Sequence, residues 1–179
     1  TLGLVLEAKL RLLPLPKSKA ILELMFEALL AALEAAPVIL RHGPSAIEIM
    51  DKSILDHARE NLALERIRSK FVEGDPAATL CVEFYADQTE QLPPRLAGLE
   101  QDLRSRGLGY AYRPETTTDQ AQMWSLREAA LGLSTAMKED AKSIAFVEDT
   151  AVAPEKLRDY IDRFRQIVRR HETTAGIYA

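Results

Sequence analysis

Polar and apolar positions alternate cleanly at the start of the chain. Leu2, Leu4, Leu6, Ala8, Leu10 and Leu12 fall on one side of an extended backbone, with Glu7, Lys9 and Arg11 on the other. A period of two predicts a strand with one buried face. Pro14 and Pro16 end it. A second strand is expected over Ala20–Met25. Phe26, Leu29, Leu30 and Leu33 then recur at helical spacing, and Pro37 or Gly43 is expected to close that helix. Ser45–Met50 alternates again as a short strand. Asp51 suits the cap of a helix reaching about Asn61.

Residues 62–76 carry no clear pattern, and Gly74-Asp75-Pro76 marks a loop. A strand is expected over 77–86. Leu96, Leu99 and Leu103 mark a helix ended by Gly107. Tyr110 and Tyr112 belong to another short strand. Thr117-Thr118-Asp119-Gln120 fits a capping box opening a long helix to about Lys138. A strand is expected over Ser143–Val152. Pro154 suits the first turn of a final helix. Leu157, Tyr160, Ile161, Phe164, Ile167 and Val168 form its apolar stripe. A last strand begins near Ala175. Alternating strands and helices can signal a parallel sheet. Paired short strands fit an α+β, ferredoxin-like antiparallel sheet covered by helices at least as well, and that is the fold taken forward.

The 179 residues suit one domain with a short appendage. Apolar residues make up 47% of them, enough for a core. The net charge of −4, without a basic block, argues against nucleic acid as the main partner. Arg169-Arg170-His171 reads as a helix C-terminus, where cations complement the dipole. No apolar run approaches the roughly 20 residues of a membrane span. A cytoplasmic setting is expected, with any membrane association made through partners. The chain opens on Thr1 and stops at Ala179, both within expected strands. Both ends are therefore read as interior points of a longer protein.

The single cysteine, Cys81, excludes an internal disulfide and a cysteine-rich metal site in this sequence. Its apolar surroundings suggest a buried, inert thiol. His42, His57 and His171 share no metal-binding spacing, and a structural role is expected for each. No Gly-rich phosphate loop or nucleophile elbow occurs. Glu148-Asp149 interrupts an apolar run, most simply as strand-end solvation.

Arg127 is the most informative side chain. Met123, Leu126, Ala130, Leu133 and Met137 make one apolar strip on its helix, and Trp124 and Leu131 another. Arg127 falls between them. A partly desolvated guanidinium requires an anion, and its planar fork suits a carboxylate. Spacing alone favours an internal ion pair, with Glu148 or Asp149 as candidates. A bound organic acid is the other reading.

Several segments, in order, resemble the FAD-linked oxidases of the vanillyl-alcohol-oxidase type. Thr1-Leu2-Gly3-Leu4-Val5-Leu6-Glu7-Ala8 is similar to the end of their flavin-binding domain, and Leu10-Arg11-Leu12-Leu13-Pro14 to its exit. Ser45-Ala46-Ile47-Glu48-Ile49-Met50-Asp51 resembles a Pro-Ser-Ala-x-Glu segment of the family. Trp124-Ser125-Leu126-Arg127-Glu128-Ala129 resembles its Trp-x-x-Arg-Glu helix. Glu148-Asp149-Thr150-Ala151-Val152 resembles the strand before its last long helix.

The resemblance implies a fragment of a D-lactate-, glycolate- or D-2-hydroxyglutarate-dehydrogenase-like protein. Residues 1–16 would be the last strand of the FAD-binding domain. Residues 17–179 would be the substrate-side domain, incomplete at its C-terminus. It implies oxidation of a small D-2-hydroxy acid of lactate or glycolate type by hydride transfer to FAD. It also implies a histidine base just after Ala179, with zinc in some members. Arg127 would bind the substrate carboxylate, and Thr1, Gly3 and Val5 would be remnants of flavin contact. The fragment alone would be inactive and would not hold FAD. Its partners would be the substrate, its own FAD-binding domain and, in some relatives, a downstream iron–sulfur domain. Leu131 and Glu148 stand where some members carry polar or lysine groups, which points away from a diacid. The competing reading is a non-enzymatic ferredoxin-like module for binding or oligomerisation.

Overall fold

The structure is a computed structural model that describes residues 4–115, 120–135, 144, 147 and 150–178. Its centre is a four-stranded sheet of β1 (Ser18–Phe26), β2 (Ala46–Asp51), β3 (Ala78–Ala86) and β4 (Ala111–Glu115), in the order β2-β3-β1-β4. Every adjacent pair is antiparallel. Helix α1 (Leu29–Leu40) connects β1 to β2, and α4 (Leu92–Ser105) connects β3 to β4. This is the doubly split β-α-β of the ferredoxin-like fold. The expected α+β antiparallel architecture holds.

Two helices, α2 (Lys52–Glu60) and α3 (Leu62–Phe71), stand between β2 and β3 where a hairpin would suffice. The sheet therefore has helices on both faces. On one face Ala20, Leu22, Leu24 and Phe26 of β1 meet Leu80, Val82 and Phe84 of β3. Leu33 and Ile39 of α1 and Leu96, Leu99 and Leu103 of α4 close over them. Ile161 of α6 (Pro154–Arg170) joins the same cluster, with Leu157 and Tyr160 of the expected stripe against it. The opposite face carries Ile21, Cys81 and Met50, covered by Phe71 of α3, Ile54 and Leu55 of α2, and Met123 and Leu126 of α5 (Gln120–Thr135).

Several expectations need correction. Phe26 ends β1 and does not begin α1. Of the two stops expected for α1, Pro37 does not act: the helix runs on to Leu40, and the turn after it carries Gly43 at φ +63°. Ala35, Ala36 and Ile39 are buried around the proline, and burying one such aliphatic side chain as Ile39 is worth about 1.5–3 kcal/mol, comparable to the cost of an interior proline. Residues 62–71 form α3, started by Asn61, whose side-chain oxygen accepts from the Ala63 and Leu64 N–H groups. The alternating segment near the N-terminus is not paired: residues 4–17 belong to no strand or helix, and Leu4, Leu6, Leu10 and Leu12 are exposed. Residues 117–119 of the capping box expected over 117–120 lie outside the described residues, and so do 143, 145, 146, 148 and 149 of the strand expected over 143–152; Gln120 opens α5. Thr150–Val152 are not in a strand.

Candidate functional site

Helix α5 crosses the second face of the sheet and touches one strand after another. At its start, the Gln120 side-chain amide donates to the Lys19 carbonyl of β1 at 2.9 Å. Next, Cys81 Sγ of β3 lies 3.2 Å from Met123 Sδ. Trp124 Nε1 donates to Glu83 Oε1, also on β3, at 3.2 Å. Arg127 Nε then donates to Glu48 Oε2 of β2 at 2.5 Å. Lys70 Nζ of α3 donates to Gln122 Oε1 at 2.7 Å from the side. Four residues of one helix thus meet three strands.

The strands present polar groups there because of register. Glu23, Cys81 and Glu48 are aligned across β1, β3 and β2, and Ile21 and Glu83 occupy the next row. All point to the face under α5, since side chains alternate along a strand. Glu83 is 3% exposed. A buried carboxylate requires donors. Glu83 has the Trp124 indole, and Lys19 Nζ at 3.7 Å. The Tyr85 hydroxyl bonds to it as well, which pushes the phenol above its ordinary pKa. Cys81 sits among these carboxylates. Burial first, then Glu23, Glu83 and Glu48, push its thiol well above the ordinary value. It is an inert core group, as expected.

Arg127 has an internal anion, as spacing favoured: Glu48 of β2; the expected candidates Glu148 and Asp149 lie outside the described residues. The topology explains this: α5 packs on β3 and β2, so the central residue of β2 comes within reach. The Arg127 side chain keeps 31% of its surface exposed and Glu48 24%. The Tyr178 ring covers one side of the guanidinium, with Cζ 5.2 Å from the ring centre. Among the described residues no acceptor meets the two terminal nitrogens of Arg127. The contrast with Arg68 is direct. Arg68 grips Glu65 through Nε at 2.6 Å and Nη2 at 2.9 Å, a closed bidentate pair. Arg127 holds Glu48 by one prong.

Tyr178 reaches this place because the C-terminal segment docks beside β2. Met50 and Tyr178 form an antiparallel bridge. Asp51 caps α2 by accepting from the Ile54 N–H at 3.2 Å, and its other oxygen accepts from the Ile177 N–H at 2.9 Å. Burial nevertheless raises the Asp51 pKa. Two shallow pockets flank α6. The larger, about 420 Å³, lies among Glu27, Leu30, Lys52, Arg165 and Ile177. Arg127 lines neither.

The remaining candidates are placed plainly. Thr1 and Gly3 lie outside the described residues. Val5 is 85% exposed on the segment that precedes β1. His42 bonds Asp102 at 3.1 Å, His57 Nδ1 donates to the Ser53 carbonyl within α2, and His171 ends α6. Glu48 and Glu83 are the groups that sequence reasoning missed as members of the site. The available signal was an acidic residue centred in the Ala46–Met50 alternation, opposite to Ile47 and Ile49. Among the described residues no cluster of His, Cys, Asp and Glu could hold a metal. No described helix is long and apolar enough to cross a membrane.

A four-stranded antiparallel sheet with helices on both faces defines a ferredoxin-like α+β domain. Residues 15–179 match the family described as FAD linked oxidases, C-terminal domain, and the chain belongs to that family. It is also similar to proteins named D-2-hydroxyglutarate dehydrogenase. That of Pantoea ananatis is 31% identical over 188 aligned positions, and that of Pseudomonas putida 29% over 185. The protein of that name from Haemophilus influenzae is 28% identical over 188. In each case 99% of this chain is covered but only 18% of the relative, so the chain spans about a fifth of their length.

Proposed function

We propose that this chain is the substrate-side domain of a protein that oxidises a D-2-hydroxy acid with FAD, and that Arg127 binds the substrate carboxylate. The observation that carries the reading is the geometry of Arg127: a guanidinium anchored through Nε, stacked by Tyr178 and, among the described residues, meeting no acceptor at its terminal edge. That edge matches a carboxylate in two parallel hydrogen bonds. Binding the acid there would hold its α-carbon at a set distance and orientation from the helix. The family supports a flavin in the parent protein.

The residues described here do not fit FAD by themselves. Val5 is largely exposed, and neither pocket includes it. The flavin contacts are therefore assigned to the rest of the protein, together with FAD's role as hydride acceptor. This chain contributes the orientation of the acid. The resemblance assigns the histidine that takes the hydroxyl proton to a position just after Ala179.

The names of the relatives favour a diacid of the 2-hydroxyglutarate type over the lactate- or glycolate-like substrate that Leu131 and Glu148 suggested. Steady-state kinetics of the full-length flavoprotein with D-2-hydroxyglutarate, D-lactate and glycolate decides between them. Arg127→Lys should raise KM by ~10-fold or more for the preferred acid, through loss of the bidentate fork. Unchanged kinetics with a lowered melting temperature would make Arg127 an internal ion pair only. A full-length protein that stays colourless after reconstitution with FAD would remove the flavin reading.

A further inference from the structure

We infer that Glu48 is the positioning residue for Arg127, occupying the Nε side of the guanidinium so that the terminal edge alone is presented to the incoming carboxylate. The inference rests on the proposed role of Arg127 as the carboxylate-binding group.

A guanidinium offers two edges to a carboxylate, one through Nε and a terminal nitrogen, the other through both terminal nitrogens. An ion pair that served only to fasten α5 to the sheet would gain most by closing the fork. Arg68 and Glu65 do this, using both prongs. Glu48 instead makes one bond, to Nε at 2.5 Å. Its own position is constrained. It lies mid-strand in β2, in register with Cys81 of the neighbouring β3, and three-quarters of its side chain is buried. A carboxylate so placed cannot follow the arginine, so the arginine is held to it. Tyr178 shields one side of the guanidinium plane. Among the described residues, Glu48 engages the Nε edge, Tyr178 covers one face, and none meets the terminal nitrogens.

Glu48 also tempers the charge. An arginine without it would attract anions more strongly but bind them in several orientations. Productive orientation matters more for turnover than attraction does. Glu48 is therefore expected to lower the KM and support kcat through Arg127, without touching substrate.

The test uses the full-length, FAD-loaded protein and three variants. Glu48→Gln keeps an oxygen that accepts from Nε–H, so KM should stay within ~3-fold of the parent. Glu48→Ala removes the anchor and should raise KM by ~10-fold or more, with a smaller fall in kcat. Rescue by glutamine and failure of alanine is a pattern that loss of a fastening ion pair would not produce in KM. Arg127→Lys is the control for the underlying reading. If Arg127→Lys raises KM while both Glu48 variants leave it unchanged, the positioning role is overturned and the carboxylate site stands. If Arg127→Lys changes nothing, both fall. Should Glu48→Ala fail to fold, Glu48→Asp replaces it. A raised KM at an unchanged melting temperature then supports positioning, and an unchanged KM overturns it.

Discussion

Asp51 and Ile177 hold each other by two hydrogen bonds. The Asp51 N–H donates to the Ile177 carbonyl at 3.1 Å, and the Ile177 N–H donates to Asp51 Oδ2 at 2.9 Å. The same carboxylate caps α2 through Ile54. One side chain therefore closes a helix start and seats the segment that carries Tyr178 over Arg127.

Asp51→Ala should lower stability by about 1–2 kcal/mol, as the loss of a helix cap and a second backbone partner. Asp51→Asn keeps an acceptor and should cost less. The pH dependence follows from burial, which raises the folded pKa above 3.8. A raised value favours folding below the ordinary pKa, and that contribution is lost as pH rises through the folded value. The stability gap between parent and Asp51→Asn should therefore narrow with rising pH across this window. Chemical denaturation at a series of pH values measures it, and a gap that widens would contradict the burial argument.

The expected elements were legible where one residue did several local jobs. Asp51 follows an alternating strand and precedes an apolar periodicity, and it caps α2 as read. The stripe from Leu157 to Val168 marks α6 because its spacing is purely local. The α3 helix escaped notice because Leu62 is 82% exposed, while the useful positions Leu64, Ile67 and Phe71 sit beside a Gly-Asp-Pro loop. Arg127 was legible as a desolvated cation, but Glu48 was not legible as its partner. The two lie 79 positions apart, and only the strand order β2-β3-β1-β4 brings them together.

Acid should act oppositely at Asp102. His42 first, then Arg106, hold its carboxyl below 3.8. A lowered folded value gives stability above the ordinary pKa that is lost as pH falls through the lowered one. Carboxyl-carbon NMR should place the Asp102 midpoint below 3.8, and His42→Phe should move it up. A midpoint that ignores His42→Phe would show that the 3.1 Å contact is not formed in solution.

Cys81 should resist thiol reagents in the native protein. It is 3% exposed, and its thiol is pushed up by burial and by Glu23, Glu83 and Glu48. The thiolate is the reactive form. Labelling should appear only with unfolding and should follow the unfolding transition. Rapid labelling under native conditions would mean that α5 lifts readily from the sheet.

Gly109 tests how closely the β4 approach is fitted. Its φ is +79°, and an added Cβ would lie 3.2 Å from the Met25 carbonyl oxygen. Gly109→Ala carries the left-handed backbone cost of about 1–2 kcal/mol together with that crowding. Gly43 shares a positive φ but has nothing within 4 Å, so Gly43→Ala should be milder. Melting temperatures of the two variants compare them. Equal shifts would mean that the Met25 carbonyl yields without cost.

The unpaired leucines of residues 4–15 give the chain a social behaviour. A greasy ribbon that, among the described residues, joins no strand recruits similar ribbons it meets. A preparation of this chain should thus cluster as it is concentrated, each molecule lending its ribbon to another, while the sheet inside stays intact. Light scattering should see the clusters disappear once residues 4–15 are removed.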